Sequence, residues 1–140
     1  WMDWEMVLPK FKQHLVTDGF LAIVSGDGPA LAPWAQERRR LIAEYSTNQD
    51  YVPFDLTAEL SQRKLFEIVR TWQSQPITYT QTVDDFLKGE HSRESLSIEM
   101  MGDKRANEFD VKFKAILEPH ASNCLISYPV STKITWGKPL

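Results

Sequence analysis

A short hydrophobic block, Phe20–Val24, lies near the start of the chain. It begins after Gly19, ends at Ser25-Gly26 and has no polar alternation. Such a run predicts a β-strand covered on both faces, as in parallel sheets flanked by helices. Before it, apolar residues recur at helical spacing and predict an amphipathic helix over residues 4–16, ended by Gly19; these residues are Val7, Leu8, Phe11 and Leu15.

The end of the chain alternates side chains with a period of two. One set of alternate positions is Ile126, Tyr128, Val130, Thr132, Ile134 and Trp136. This pattern predicts one long strand over residues 125–136, with a bulge or an unpaired position at Pro129. Residues 66–79 form a second extended segment that Pro76 bends or breaks. These two segments are expected to pair antiparallel.

Helix signals occupy much of the remaining chain. Four residues are predicted to cap helices through their side chains: Asp3, Asp55, Thr82 and Asp103. A further helix is predicted over residues 33–46, beginning near a proline. Residues 80–120 are predicted to form a helical insertion between the last two strands, in which Gly89 ends the first helix.

Composition restricts the class of protein. The chain has 140 residues, a formal net charge of −3 and one cysteine, Cys124. We expect one domain over residues 1–140 and a reducing, cytoplasmic location. The charge gives no electrostatic reason to expect nucleic acid, and no apolar run is long enough to predict a membrane span. Because the first residue is Trp1, we expect a fragment of a longer protein.

Several possible catalytic motifs are incomplete. Gly26-Asp27-Gly28 resembles a phosphate-binding loop, but Leu31 replaces the third glycine and Pro29 removes a backbone donor. Ser25 lacks the glycine two residues earlier that a nucleophile elbow requires. Arg38-Arg39-Arg40 is interpreted as a solvated helix face, and the three scattered histidines predict no metal site.

The order of several segments resembles the C-terminal half of a class I S-adenosylmethionine-dependent methyltransferase of the small-molecule branch. The resemblance covers nearly all of the chain. The segments that carry it are Trp1-Met2-Asp3-Trp4, Val7–Phe11, Gly19–Val24, Tyr45–Asn48, Thr82–Phe86, His91-Ser92-Arg93 and Ile134–Pro139.

The resemblance implies an α/β fold, the C-terminal part of a Rossmann-like sheet with the strand order 3-2-1-4-5-7-6. Residues 21–25 would form strand 5, residues 66–79 strand 6, and residues 125–136 strand 7, which runs antiparallel between the other two. The inserted helices would cap an acceptor pocket. Strand 5 would keep one open edge at Leu21–Val24, through which a homodimer is possible.

The resemblance also implies the function and the site. The parent protein would transfer a methyl group from S-adenosylmethionine to a small-molecule acceptor. His91 is the candidate base or orienting residue, and the candidate acceptor contacts are Trp1, Trp4, Ser92 and Arg93, with Arg93 suited to an acidic acceptor. The alternative for His91-Ser92-Arg93 is a polar hinge between cap helices. The family's glycine loop and its ribose-binding acid have no counterpart here, so this chain alone is expected to be inactive.

A second hypothesis comes from a different class of protein. The chain would be a freestanding α+β module that binds an apolar ligand or a partner chain without catalysis. The alternating strand and the five tryptophans could line its pocket.

Overall fold

The computed structural model describes residues 2–26 and 28–140, so Trp1 and Asp27 lie outside the description. The chain is α/β, with antiparallel sheets. Its helices are α1 (Trp4–His14), α2 (Ala35–Tyr45), α3 (Leu56–Gln62), α4 (Val83–His91), α5 (Ile98–Met101) and α6 (Asp103–Leu117). Its strands are β1 (Leu21–Gly26), β2 (Phe66–Gln73), β3 (Ile77–Thr82), β4 (Leu125–Val130) and β5 (Thr132–Pro139).

The chain divides into two compact units. Unit 1 contains the described residues of Trp1–Asp27, Val52–Pro76 and Ser131–Leu140. Unit 2 contains Gly28–Tyr51 and Ile77–Val130. The expected assignment of residues 1–140 to one domain stays a prediction.

Unit 1 holds a three-stranded sheet in the order β1-β5-β2. The central strand β5 is antiparallel to both neighbours, with Ala22 opposite Trp136 and Trp72 opposite Ile134. The two outer strands therefore run parallel to each other. Leu8 of α1, Leu60 of α3 and Phe66 of β2 form the buried core of this unit.

The strand predicted at residues 20–24 exists, but the expected coverage of both faces is wrong. Leu21 and Ile23 pack against the core, whereas Val24 is 63% exposed. Residues 21–24 alternate between the core and solvent because one face of this antiparallel sheet packs against the buried core and the other faces solvent. A continuous apolar run did not distinguish the two environments.

The predicted long strands are each divided in two. Residues 125–136 form β4 and β5, which separate at Ser131 and belong to different sheets. Residues 66–79 form β2 and β3, which separate before Ile77. β3 pairs antiparallel with β4 in a two-stranded sheet of unit 2, where Thr78 lies opposite Pro129.

In unit 2, the helices α2, α4 and α6 share one buried core with Ile126 and Tyr128 of β4. Its core is rich in aromatic side chains, and Trp34 meets both Phe86 and Tyr128 edge to face, at 5.2 and 5.6 Å between ring centroids. Edge-to-face pairs of this kind are favourable beyond their buried area. The helices α4–α6 lie in the chain between β3 and β4, within the predicted insertion at residues 80–120.

Three of the four predicted helix caps are confirmed. The side chains of Asp3, Asp55 and Thr82 accept hydrogen bonds from backbone N–H groups in the first turns of α1, α3 and α4. Asp103 is wrong as a cap, because it is the first helical residue of α6 and Gly102 precedes it with φ +80°. Gly89 does not end α4, which continues to His91.

Candidate functional site

A cleft of about 220 Å³ lies in unit 2 beside α2 and α4. Its lining combines two guanidinium groups, a buried carboxylate, an amide and a phenol. The lining includes Arg38, Gln81, Asp85, Phe86, Glu90, Arg93 and Tyr128.

The cleft is built around a buried ion pair. Arg38 Nε and Nη2 both donate to Glu90 Oε1, at 3.1 and 2.7 Å. The side chains are 11% and 5% exposed. The interpretation of Arg38 as part of a solvated face is therefore wrong, although Arg39 and Arg40 are exposed.

A sequence signal for this pair existed but was missed. Arg38 lies four residues after Trp34, the buried N-cap residue of α2, and three residues before Leu41, which is buried on α2. Glu90 lies four residues after Phe86 on α4. A charged residue on the apolar stripe of each of two helices indicates a buried pair, since an unpaired charge would be costly there.

The second oxygen of Glu90 lacks a hydrogen bond. Oε2 is buried and accepts from no donor in the part of the chain that the structure describes. Arg93 Nη1 lies 3.7 Å from it, which is beyond hydrogen-bond range. The Arg93 side chain is 52% exposed. The cleft thus presents a buried acceptor next to a loosely held guanidinium.

Tyr128 and Gln81 supply polar groups on the β3–β4 side of the cleft. Gln81 Nε2 donates to the Tyr128 hydroxyl oxygen at 2.6 Å. Burial raises the pKa of Tyr128, so its phenol keeps its proton at neutral pH and can donate. Phe86 forms an apolar wall, and the Arg38 guanidinium lies 5.9 Å from its ring centroid.

His91 is held by two acceptors. Its Nδ1 lies 2.7 Å from the Leu96 carbonyl oxygen and its Nε2 lies 2.8 Å from Asp110 Oδ1. Because a carbonyl and a carboxylate both accept, a ring protonated on both nitrogens satisfies them together. The imidazole ring also packs edge to face against Phe109, with 5.5 Å between the ring centroids. The role of His91 as a base stays a prediction, and it would require one of these two contacts to open.

The remaining predicted acceptor contacts have different surroundings. Ser92 is exposed and donates its hydroxyl to the Gly89 carbonyl oxygen at 2.7 Å. Arg93 lines the cleft. Trp4 belongs to unit 1, where it is partly buried against the Leu8, Leu60 and Phe66 core. Trp1 lies outside the described residues, so nothing tests its predicted role.

Unit 1 has a larger cleft of about 470 Å³. It lies along Ile23–Ser25 of β1, beside the segment 53–57 and Lys133. Asp55 is its acidic group, and hydrogen bonds from Thr57 and Ala58 lower the pKa of this carboxyl to about 2. Because Asp55 is committed to capping α3, this cleft offers less free polar chemistry than the one in unit 2.

No metal site or membrane span is found in residues 2–26 and 28–140. No three His, Cys, Asp or Glu side chains in these ranges are placed to hold an ion. None of the helices described there is long and apolar enough to cross a bilayer.

Comparison with known proteins gives no assignment. A scan of protein-family models finds none that matches this sequence, and a search of curated proteins finds no match. Any functional conclusion therefore depends on the fold and on the side chains themselves.

Proposed function

We propose that this chain is the C-terminal part of an S-adenosylmethionine-dependent methyltransferase that acts on a small-molecule acceptor. The observation that carries the proposal is the strand order β1-β5-β2, with the last strand of the chain antiparallel in the centre. The methyltransferase resemblance implied this order for strands 5, 7 and 6. A central strand that follows both of its neighbours in the sequence is a restrictive feature, because consecutive strands more often lie side by side.

The free edge of β1 also supports the proposal. β1 pairs only with β5, and no other described strand of unit 1 lies against its second edge. In the proposed parent protein, strand 4 would occupy this edge and the upstream half would supply the glycine loop and the ribose-binding acid. The proposal includes a cytoplasmic location, which the exposed free thiol of Cys124 supports.

In this proposal the helical insertion supplies the acceptor side. Arg93 is the contact best placed for this role, since its guanidinium is half-exposed and lines a cleft. Ser92 and Trp4 remain proposed contacts. His91 is proposed as an orienting residue, because its ring is fixed on both nitrogens.

Calorimetric titration of S-adenosylhomocysteine tests the proposal. The ligand is titrated into this chain and into the longest natural protein that contains it. We expect the longer protein to bind and this chain not to bind, since the main cofactor loop lies upstream.

Two outcomes would contradict it. Binding by this chain alone would place the cofactor site within residues 1–140. Absence of binding to both proteins would favour the freestanding binding module, and a stable monomer in light scattering would support that alternative.

A further inference from the structure

The carboxylate of Glu90 is only partly used by the protein. The residue is 4% exposed, and Arg38 directs both of its bonds to Oε1. Oε2 is left without a donor among the described residues. A buried charged acceptor without a hydrogen bond is costly, so a donor from outside the chain would be stabilised at this position.

The excess charge next to this oxygen is positive. Arg38 and Glu90 neutralise each other, and Asp85 is occupied by the Thr82 hydroxyl and the Lys88 ammonium at 2.8 and 3.1 Å. Arg93 remains, with its 3.7 Å contact to Glu90 as its ion pair. The cleft therefore favours a ligand that carries an anionic group together with a hydrogen-bond donor.

The spacing allows these two ligand groups to be joined through a single carbon atom. Glu90 Oε2 and Arg93 Nη1 are 3.7 Å apart. In a cleft of about 220 Å³, a ligand donor within about 3 Å of the first and a carboxylate oxygen within about 3 Å of the second can be close neighbours. A hydroxyl or ammonium on the carbon next to a carboxylate has this arrangement.

We propose that the unit 2 cleft binds a small carboxylate with a hydroxyl or ammonium group on the adjacent carbon. The donor group binds Glu90 Oε2, and the carboxylate binds Arg93. The Tyr128 hydroxyl can donate to the same carboxylate, and Phe86 contacts the carbon skeleton. The volume of about 220 Å³ is below that of most drug-sized pockets, so the ligand is small. This inference extends the expectation that Arg93 holds an acidic group, but it does not depend on methyl transfer.

A series of three matched probes tests the proposal on the full 140-residue chain. L-lactate, L-alanine and propionate differ at the adjacent carbon, which carries a hydroxyl, an ammonium or hydrogen only. Binding is followed by NMR through the backbone amide of Gly89 and the Arg93 Nε–H, without any cofactor. We expect lactate or alanine to bind at least about tenfold more tightly than propionate, the difference typical of one hydrogen bond to a charged group. The probe that binds more tightly, lactate or alanine, shows whether the preferred donor is a hydroxyl or an ammonium group.

Two arginine variants supply the control. Arg93→Gln should weaken binding at least about tenfold. Arg39→Gln removes the same charge from an exposed arginine outside the cleft and should leave binding unchanged. Because Arg93 is half-exposed, we expect its variant to fold, and the amide spectrum reports this directly.

Three results would overturn the proposal. Equal affinity for propionate and lactate would show that the ligand makes no donor contact to Glu90. Unchanged affinity in the Arg93→Gln variant would show that Arg93 does not bind the carboxylate of the ligand. Absence of binding by all three probes would also overturn it, and an Arg93 Nε–H already engaged in the free protein would show that Arg93 itself closes on Glu90. None of these results bears on cofactor binding, so the proposed function is tested separately.

Discussion

At the scale of single residues, unit 2 contains a buried ion pair between Arg38 and Glu90. Each partner is buried, and each stabilises the charge of the other. Removing one partner leaves an unpaired buried charge, which typically costs about 3–5 kcal/mol. Replacing both by apolar residues removes the desolvation cost together with the attraction.

We therefore expect Glu90→Leu to lower the free energy of unfolding by about 3–5 kcal/mol. The double variant Arg38→Met/Glu90→Leu should recover most of this loss. Urea unfolding of Glu90→Leu, Arg38→Met, the double variant and the parent chain completes a double-mutant cycle. A double variant as unstable as the single ones would mean that the pair contributes through more than mutual neutralisation.

Asp55 allows a prediction of pH dependence. Hydrogen bonds, first from the Thr57 hydroxyl and then from the Ala58 amide, lower its pKa from 3.8 to about 2. A depressed carboxyl pKa contributes stability that is fully present above the unfolded value and is lost as the pH falls through the folded value. The stabilisation from Asp55 is therefore fully present above about pH 4 and is lost as the pH falls from about 4 to about 2.

Asp55→Ala should cost about 1 kcal/mol at pH 7, the usual value of an N-cap. This cost should shrink as the pH is lowered from 4 to 2, because the protonated carboxyl accepts less strongly. Thermal unfolding of the parent and the variant across this range measures the difference. Asp103→Ala is the control, since Asp103 makes no side-chain cap bond. Its effect on stability should be small and should not shrink in the same way between pH 4 and pH 2.

At the scale of elements, two glycines in regular structure have opposite surroundings. A Cβ at Gly137 of β5 would collide with the backbone of Glu67 on β2. A Cβ at Gly89 of α4 would meet nothing within 4 Å. The first glycine permits the close approach of two strands, whereas the second only weakens a helix.

Gly137→Ala should therefore lower the free energy of unfolding by about 1–3 kcal/mol, as overpacking does. Gly89→Ala should raise it by about 0.5–1 kcal/mol. Chemical denaturation measures both changes on the same chain. Equal effects of the two substitutions would show that contact between β2 and β5 does not require glycine.

The open edge of β1 leads to a prediction about association. Val24 is 63% exposed on an edge strand with unpaired backbone groups. Such edges pair with other strands, and a lysine placed there opposes this pairing. We expect the chain to self-associate with rising concentration and Val24→Lys to suppress the association in light scattering. Val111→Lys, on an exposed helical site of α6, should behave like the parent chain. Association that Val24→Lys leaves unchanged would place the contact elsewhere.

At the scale of the whole molecule, the sequence located the helices well and predicted the antiparallel pairing of residues 66–79 with residues 125–136, but it did not predict that the second segment divides between two sheets. Asp3, Asp55 and Thr82 capped helices as predicted, because a cap depends on neighbours within one turn. The break at Ser131 was not predicted, since alternation continues through it and strand partners are set by distant residues.

The candidate site was predicted only in part. Arg93 was identified through a family resemblance, whereas Arg38 and Glu90 were not, because their pairing joins positions 52 residues apart. Single-sequence periodicity reports which face of a helix is buried, but it does not report which charge meets which. The buried pair could be inferred only by treating both charged residues as parts of apolar stripes.

A prediction for the longest natural protein joins the two proposals. Arg93→Gln should raise the KM for an acidic acceptor about tenfold or more while leaving the Kd for S-adenosylhomocysteine unchanged. Kinetic assay and calorimetry on the same preparation check both quantities. A parallel loss of cofactor affinity would indicate a general structural defect and would contradict a role in acceptor recognition.

The central position of β5 has a consequence for biosynthesis. Among the strands that the structure describes, β1 and β2 each pair only with β5, which occupies residues 132–139. During translation, every segment of unit 2 therefore emerges before the sheet of unit 1 can close. The nascent chain therefore lacks the strand that joins β1 to β2 until residues 132–139 leave the ribosome, and a stop codon before residue 132 would leave the two strands without this shared partner.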